Sequence, residues 1–188
     1  MGEISLVNQD FKALELFMDV QQSIKHASGL ARLNDFNAAI LVMQGVVKEL
    51  SKTSGSSIQH FVKVVPYFQK AGRYSELQEY CTDSLIPAVR NAAKLSFSHT
   101  NQAIIDAFSS LYTSKIYEKL QLAATREKCK ADMSLFDTLR NKFLNEYQRL
   151  LIIGEKLQLL EEYKQAIDLF GSDRSKWPDI IQEKFFAN

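Results

Sequence analysis

Apolar residues recur along most of the chain at intervals of three and four positions, the spacing that places them on one face of an α-helix. This pattern predicts a first helix over residues 10–33, capped by Asp10, and a second over 36–50, capped by Asp35. A short turn at Asn34 separates them. No segment alternates apolar and polar residues over more than a few positions, so we expect no sheet.

The middle of the chain keeps the helical spacing but interrupts it more often. The run 51–57 is rich in Ser and Gly and predicts a loop, because these residues favour turns and offer no apolar surface to bury. A helix begins at Ile58, and Pro66 inside it should bend it by removing one backbone hydrogen bond. After a turn, Tyr74 begins a fourth helix, which Pro87 restarts as a separate segment.

Longer helices are predicted for the remainder of the chain. One follows a break at 98–100 and continues to about Ala131. The next is capped by Ser134 and runs to Leu160, where Glu161 and Glu162 are expected to form a tight turn on the surface. A short helix over 162–170 then ends at Gly171, a residue well suited to stopping a helix.

The tail is hydrophobic and predicts a small helix over 178–186, next to Trp177. Its apolar residues are Ile180, Ile181, Phe185 and Phe186. Two roles remain open. The helix either caps the open end of a helix stack, which we favour, or docks on a partner or on a second copy of the chain.

Composition agrees with an all-α fold and narrows the classes of partner. The 188 residues include only 7 Gly and 3 Pro, which favours few, long elements. The net charge of +1 gives no global field toward nucleic acid or an acidic membrane, so we expect neither partner. No apolar run reaches the ~18 residues of a membrane span, and residues 1–6 do not resemble a secretory signal. We therefore expect a cytoplasmic protein.

Candidate chemistry is sparse. Cys81 and Cys129 are best interpreted as reduced thiols, with one disulfide left as the alternative. The three histidines are far apart, and no nucleotide, hydrolase or metalloprotease motif is present. We therefore expect no enzyme activity, no catalytic residue, no metal and no cofactor. A ligand-binding or enzymatic helical bundle stays open, and it would need a pocket gathering His60, Tyr112 or Asp106.

Three predicted turns share a pattern: an aromatic residue, a small or apolar residue three positions later, and a larger apolar one four after that. The three sets are Phe36, Ala39 and Met43; Tyr74, Leu77 and Cys81; and Tyr163, Ala166 and Phe170. This pattern resembles the tetratricopeptide repeat family, whose unit is a helix–turn–helix. The third copy matches best, with Ile153 and Gly154 at the Leu-Gly positions of its first helix.

The resemblance implies one domain over residues 1–188, an antiparallel stack of helix hairpins with seven to eight helices and no sheet. Its pairs would cover about 10–50, 58–95, 99–160 and 134–171, and the tail helix 178–186 would cap them. Such proteins bind a peptide or helix in a concave groove lined by the first helix of each pair. By position, the groove residues here are Gln21, Lys25, Ser28, Arg32, Gln59, Lys63, Lys70, Gln148 and Glu155.

The resemblance implies a non-enzymatic protein–protein interaction module or scaffold. The first groove positions are mildly basic, which could suit an acidic or C-terminal peptide. The same residues could instead be solvated helix faces. A chaperone or regulator of a secreted or assembly client, and a helical subunit of a larger complex, remain alternatives. A homodimer through the tail also stays open.

Overall fold

The structure is a computed structural model that describes residues 19–186, and within this range all regular structure is helical. The predicted all-α class is therefore confirmed. The described part of helix α1 is 19–32. It is followed by α2 (Phe36–Leu50), α3 (Ile58–Phe61), α4 (Val65–Lys70), α5 (Tyr74–Tyr80), α6 (Ile86–Ser96), α7 (Gln102–Arg126), α8 (Lys130–Phe170) and α9 (Asp179–Phe186). The predicted cap at Asp10 lies outside the described residues.

Helix α2 has the predicted bounds. Its cap is Asp35, whose carboxylate accepts a hydrogen bond from the Ala38 backbone N–H at 3.1 Å. The helix buries Ile40, Met43 and Val47 on one face. A side-chain acceptor at the start and a continuous apolar face behind it are together sufficient to define this helix.

Both interior prolines lie where the type of helix changes. Pro66 stands in the first turn of α4, after a 3₁₀ turn at Val62–Val64. Pro87 stands in the first turn of α6, after a π-helical segment at Cys81–Leu85. Proline is tolerated in a first turn because its missing N–H would have no helical partner there. The helical backbone continues without a break from α5 through the π-helical segment into α6, so Pro87 follows a local change of helix type and does not begin the predicted separate segment. Pro66 likewise follows the 3₁₀ turn within a continuous helical backbone.

Three turns reverse the chain by the same backbone geometry. Asn34, Gly72 and Lys128 each adopt a left-handed φ, at 62°, 71° and 59°. In each turn the next N–H bonds to a carbonyl five residues back, as in Cys129 to Ala124 at 3.0 Å. This arrangement is the Schellman ending of an α-helix. The first two turns fall where the repeat pattern predicts them, whereas the third lies within a predicted helix.

The prediction of a turn at Glu161 and Glu162 is wrong, because α8 runs without a break from Lys130 to Phe170. Residues 155–170 contain no Gly or Pro and are rich in Leu, Glu, Gln and Lys, which favour helix. The helix ends at Gly171, as predicted, where φ is 80°. The third repeat-like copy is therefore part of one continuous helix and not a helix–turn–helix.

Two further helix ends differ from the prediction. Helix α7 ends at Arg126 and not near Ala131, and α8 begins at Lys130 and not at a Ser134 cap. The cause is the turn at Lys128, a residue type that gives no turn signal in the sequence. As a result α7 and α8 form one long antiparallel hairpin.

The main hydrophobic core is formed by the helices from α1 to α7. It includes the fully buried Phe61, Phe68, Leu77 and Leu85, and Phe68 stacks on Tyr80 with ring centroids 5.2 Å apart. The paired part of α8 contributes Phe136 to this core. The core thus holds the first seven helices together and leaves most of α8 outside it.

Helices α7 and α8 pack along the full length of α7. Tyr117 stacks on Phe143 with centroids 5.6 Å apart, and Phe108 contacts Tyr147 at 5.9 Å. At the far end, Asn101, which caps α7, donates a hydrogen bond to the Gly154 carbonyl at 2.8 Å. Residues 155–170 extend about 24 Å beyond this crossing, at 1.5 Å per residue. We call them the projecting segment of α8.

Candidate interaction surfaces

Several large apolar side chains are exposed within two and a half turns of helix where α8 leaves α7. Five residues, each between 38% and 54% exposed, form this apolar patch: Ile152, Ile153, Leu157, Leu159 and Leu160. Exposed apolar side chains grouped in this way often mark interaction sites. The patch is therefore the first candidate site.

The apolar patch does not continue the face of α8 that packs on α7. That face includes Tyr147 and Gly154, and at 3.6 residues per turn it continues as Gln158, Glu161 and Gln165. These three residues are polar and exposed. Beyond the end of α7, the apolar side chains of α8 thus lie on a different side of the helix from those that pack on α7. The patch consequently has no counterpart on α7.

The tail folds back on the far end of α8. Trp177 is only 3% exposed and lies 5.6 Å from Tyr163, centroid to centroid, while Phe185 lies 5.3 Å from the same ring. The Trp177 indole N–H donates to the Gly171 carbonyl at 2.8 Å. Lys184 forms an ion pair with Glu162 at 2.9 Å. Helix α9 therefore covers the end of α8 itself and leaves the apolar patch open.

A second candidate site is a cleft between two parts of the chain that are distant in sequence. One wall comes from α3, the 3₁₀ turn and α4, and the other from the last turns of α7. The cleft has a volume of about 320 Å³. Its lining, which we call the basic cleft, is Gln59, Val62, Lys63, Val65, Pro66, Gln69, Lys119, Leu122, Ala123 and Arg126.

Two of the predicted groove residues, Gln59 and Lys63, line the basic cleft. The predicted groove residues of α1 and α8 do not line it. In α1, Ser28 donates to the Ile24 carbonyl at 2.8 Å, and its hydroxyl lies 3.5 Å from that of Tyr67. The other predicted groove residues are Gln21, Lys25 and Arg32 on α1, Lys70 at the end of α4, and Gln148 and Glu155 on α8. Of these, Lys25, Arg32, Lys70, Gln148 and Glu155 are exposed.

A larger cleft of about 660 Å³ lies between α6, α7 and α8. Basic and acidic side chains both line it: Arg90, Lys94 and Arg149, with Asp106 and Glu146. Because the charges largely compensate one another, this cleft favours no particular class of ligand. Lys94 in this cleft is therefore a suitable position for a control charge substitution.

The residues named as candidates for chemistry do not meet. His60 is on α3, whereas Asp106 lines the larger cleft and the Tyr112 ring packs on Phe108 at 6.5 Å. The pKa of His60 is lowered, first by burial and second by the neighbouring charge of Lys63. Within residues 19–186 no cluster of His, Cys, Asp and Glu has the composition of a metal site.

No protein-family model matches the chain, and no significant match occurs among curated proteins or solved structures. Among the described helices, none combines the length and the apolar character that crossing a membrane requires. A role for either surface therefore has to be inferred from its geometry and chemistry.

Proposed function

We propose that the chain is a non-enzymatic interaction module that binds another protein through the apolar patch of α8. The observation that carries this proposal is the exposure of five large apolar side chains in one group on a helix that extends beyond its packing partner. A side chain of this size gains about 1.5–3 kcal/mol on full burial. Covering five half-exposed ones would supply roughly 4–7 kcal/mol before the costs of association, enough to form the centre of an interface.

The chemistry of the projecting segment indicates the kind of partner surface. Ile153, Leu157 and Leu160 follow one another at intervals of four and three, the spacing of anchors on a helix that lies in a groove. Between 152 and 168 there are four acidic residues and two lysines, a net charge of −2. We therefore propose an apolar groove with a basic rim as the complementary surface.

This proposal includes two forms of interaction module: a helical subunit of a larger assembly, and a scaffold related to tetratricopeptide repeat proteins. Two turns with the expected aromatic residue, Phe36 and Tyr74, support the family relationship. Cys81 and Cys129 are both free, which is typical of a protein in a reducing compartment such as the cytoplasm.

The test is a quantitative affinity purification from cells with a matched pair of variants. Leu157→Glu/Leu160→Glu places two charges in the apolar patch. Leu135→Glu places one on the same helix at a site 52% exposed and outside the patch. We expect a partner that is retained by wild type and Leu135→Glu and lost at least tenfold in the double variant. The direct complex of purified proteins is then measured by calorimetry.

The same experiment separates the alternatives within this class. A stoichiometric partner that co-purifies stably supports a subunit of a complex, whereas several aggregation-prone clients at low occupancy support a chaperone or regulator. If every partner bound the double variant as well as wild type, the patch would not be the interaction surface. Circular dichroism spectra of all variants check that the helices are intact.

A further inference from the structure

The basic cleft combines three positive side chains with an apolar floor. Val62, Val65 and Ala123 form buried parts of that floor. Leu122 belongs to the same lining and remains 46% exposed. The cations are Lys63 from the 3₁₀ turn and Lys119 and Arg126 from α7. No carboxylate is among the residues that line the cleft.

Hydrogen bonds fix one of the cations in place. The Arg126 guanidinium donates to the side-chain carbonyl of Gln69 at 3.1 Å. The Gln69 amide in turn donates to Glu127 at 3.2 Å, outside the cleft. Since Gln69 accepts from Arg126 and donates to Glu127, it holds the arginine across the gap between α4 and α7. Arginine fixed in this way is suited to binding a carboxylate with two parallel hydrogen bonds.

The nearest acidic residue beside Lys119 is already paired. Glu118 accepts a hydrogen bond from Lys115 at 2.8 Å, and its other oxygen lies 3.9 Å from Lys119. The bond from Lys115 is the main reason why the pKa of Glu118 is lowered. Glu118 therefore neutralises Lys115 more than Lys119, and the lining keeps its positive charge.

We infer that the basic cleft docks a short acidic segment of a protein, with carboxylates on either side of an apolar side chain. The carboxylates would meet Lys63, Lys119 and Arg126, and the apolar side chain would lie on Leu122 and Pro66. Single-stranded nucleic acid is disfavoured, because no aromatic residue lines the cleft to stack on bases. The net charge of +1 likewise gives no extended field for a phosphate backbone.

This surface is separate from the apolar patch. The basic cleft uses the last turns of α7, from Lys119 to Arg126, and the patch begins beside its first turn, so about 26–36 Å of helix separates them. The two surfaces can therefore bind different segments at once, and either can fail in a test without the other.

The test uses a blocked, fluorescein-labelled peptide of sequence Gly-Glu-Glu-Leu-Leu-Glu-Glu-Gly, and a control peptide with Gln in place of every Glu. Fluorescence anisotropy measures affinity, and ¹H–¹⁵N NMR spectra of the labelled full chain locate the binding. We expect the Glu peptide to bind and the Gln peptide to bind at least tenfold more weakly. The shifts should centre on Val62, Lys63, Gln69, Leu122 and Arg126, and the affinity should fall as salt rises.

Matched variants complete the experiment. Lys63→Glu/Arg126→Glu should weaken binding of the Glu peptide by about tenfold or more, while Lys48→Glu/Lys94→Glu makes the same change in net charge on other clefts and should alter it less than twofold. Leu122→Gln should weaken it severalfold, because the apolar side chain of the peptide would lie on Leu122. The proposal is overturned by any of three results: no saturable shifts with millimolar Glu peptide, equal loss in the two charge-reversed proteins, or tighter binding of an oligouridine of similar length.

Discussion

Replacing Gly154 by alanine tests the closest approach between α7 and α8. A Cβ atom at this position would lie 2.5 Å from Cγ1 of Ile104, 3.0 Å from the Ile104 backbone nitrogen and 3.3 Å from Oδ1 of Asn101. Ile104 is buried, and its Cγ1 can move only by rotation about the Cα–Cβ bond, which is strongly restricted for a β-branched residue in a helix. Asn101 caps α7 through the Ile104 N–H at 3.2 Å and also donates to the Gly154 carbonyl at 2.8 Å. The added methyl group therefore pushes against a capped helix end.

The expected change in the free energy of unfolding combines one stabilising effect with two destabilising ones. Alanine is preferred over glycine inside a helix by about 1 kcal/mol. Overpacking a tight contact costs about 1–3 kcal/mol, and loss of a helix cap costs about 1 kcal/mol more. The net expectation is that Gly154→Ala lowers the free energy of unfolding by about 1–3 kcal/mol. For a chain of this size each kcal/mol corresponds to a drop of about 2–4 °C in melting temperature.

The assay is urea unfolding followed by circular dichroism, with Gly45→Ala as the matched control. Gly45 is exposed on α2, and a Cβ added there meets no atom within 4 Å. This control should raise the free energy of unfolding by up to about 1 kcal/mol, since only helix propensity changes. Should Gly154→Ala stabilise the protein as much as Gly45→Ala does, α7 and α8 do not cross at Gly154 in the way described.

Three further measurements probe the core and the tail. In the folded protein DTNB should label Cys129 and not Cys81, because burial raises the pKa of the Cys81 thiol to about 12; labelling of both before denaturation would contradict this. The stability that comes from the raised thiol pKa is fully present below the ordinary value of 9.0 and is lost as pH rises toward 12. The Cys81 contribution to the free energy of unfolding should therefore fall by about 2 kcal/mol near pH 10.5, and Cys81→Ala should remove that part of the pH dependence. Trp177 is the only tryptophan, so its fluorescence reports on the tail. It should lose its buried emission at lower urea than the main circular dichroism transition of the core. Tyr163→Ala should shift the fluorescence transition, together with the part of the helix signal that comes from the projecting segment, and leave the main transition in place. Coincident transitions in both proteins would show that the tail and core unfold together.

Local signals were sufficient to predict α2 and insufficient to predict α8. Asp35 and the apolar face behind it determine α2 within a few residues of sequence. Tyr163 has the same appearance as the aromatic residues that follow true turns, yet its partners are Trp177 and Phe185, which reach it from the tail. An aromatic side chain shows that it needs a packing partner, but local sequence does not show which one. The helix propensity of residues 155–170 was the better guide here.

The two surfaces were predictable to different degrees. Lys63 and Gln59 were predicted to face a binding groove and do line the basic cleft. Lys119 and Arg126 were missed because the interleaved charges of that region are typical of a solvated face, and their position opposite α4 depends on contacts distant in sequence. The apolar patch was missed because Leu157 and Leu160 were assigned to a helix pair that does not form. A signal was present, since apolar residues at 152, 153, 157, 159 and 160 exceed what one packed face of a helix needs.

The tail explains how the apolar patch can stay ordered while uncovered. A helix of 16 residues extending into solvent is marginal on its own, because short helices depend on packing for stability. Burial of Trp177 against Tyr163 and the ion pair between Lys184 and Glu162 anchor the far end of the projecting segment. Asn101 holds the near end through Gly154. Fixed at both ends, the segment presents its leucines in one conformation, so a partner that binds them does not need to order the helix first.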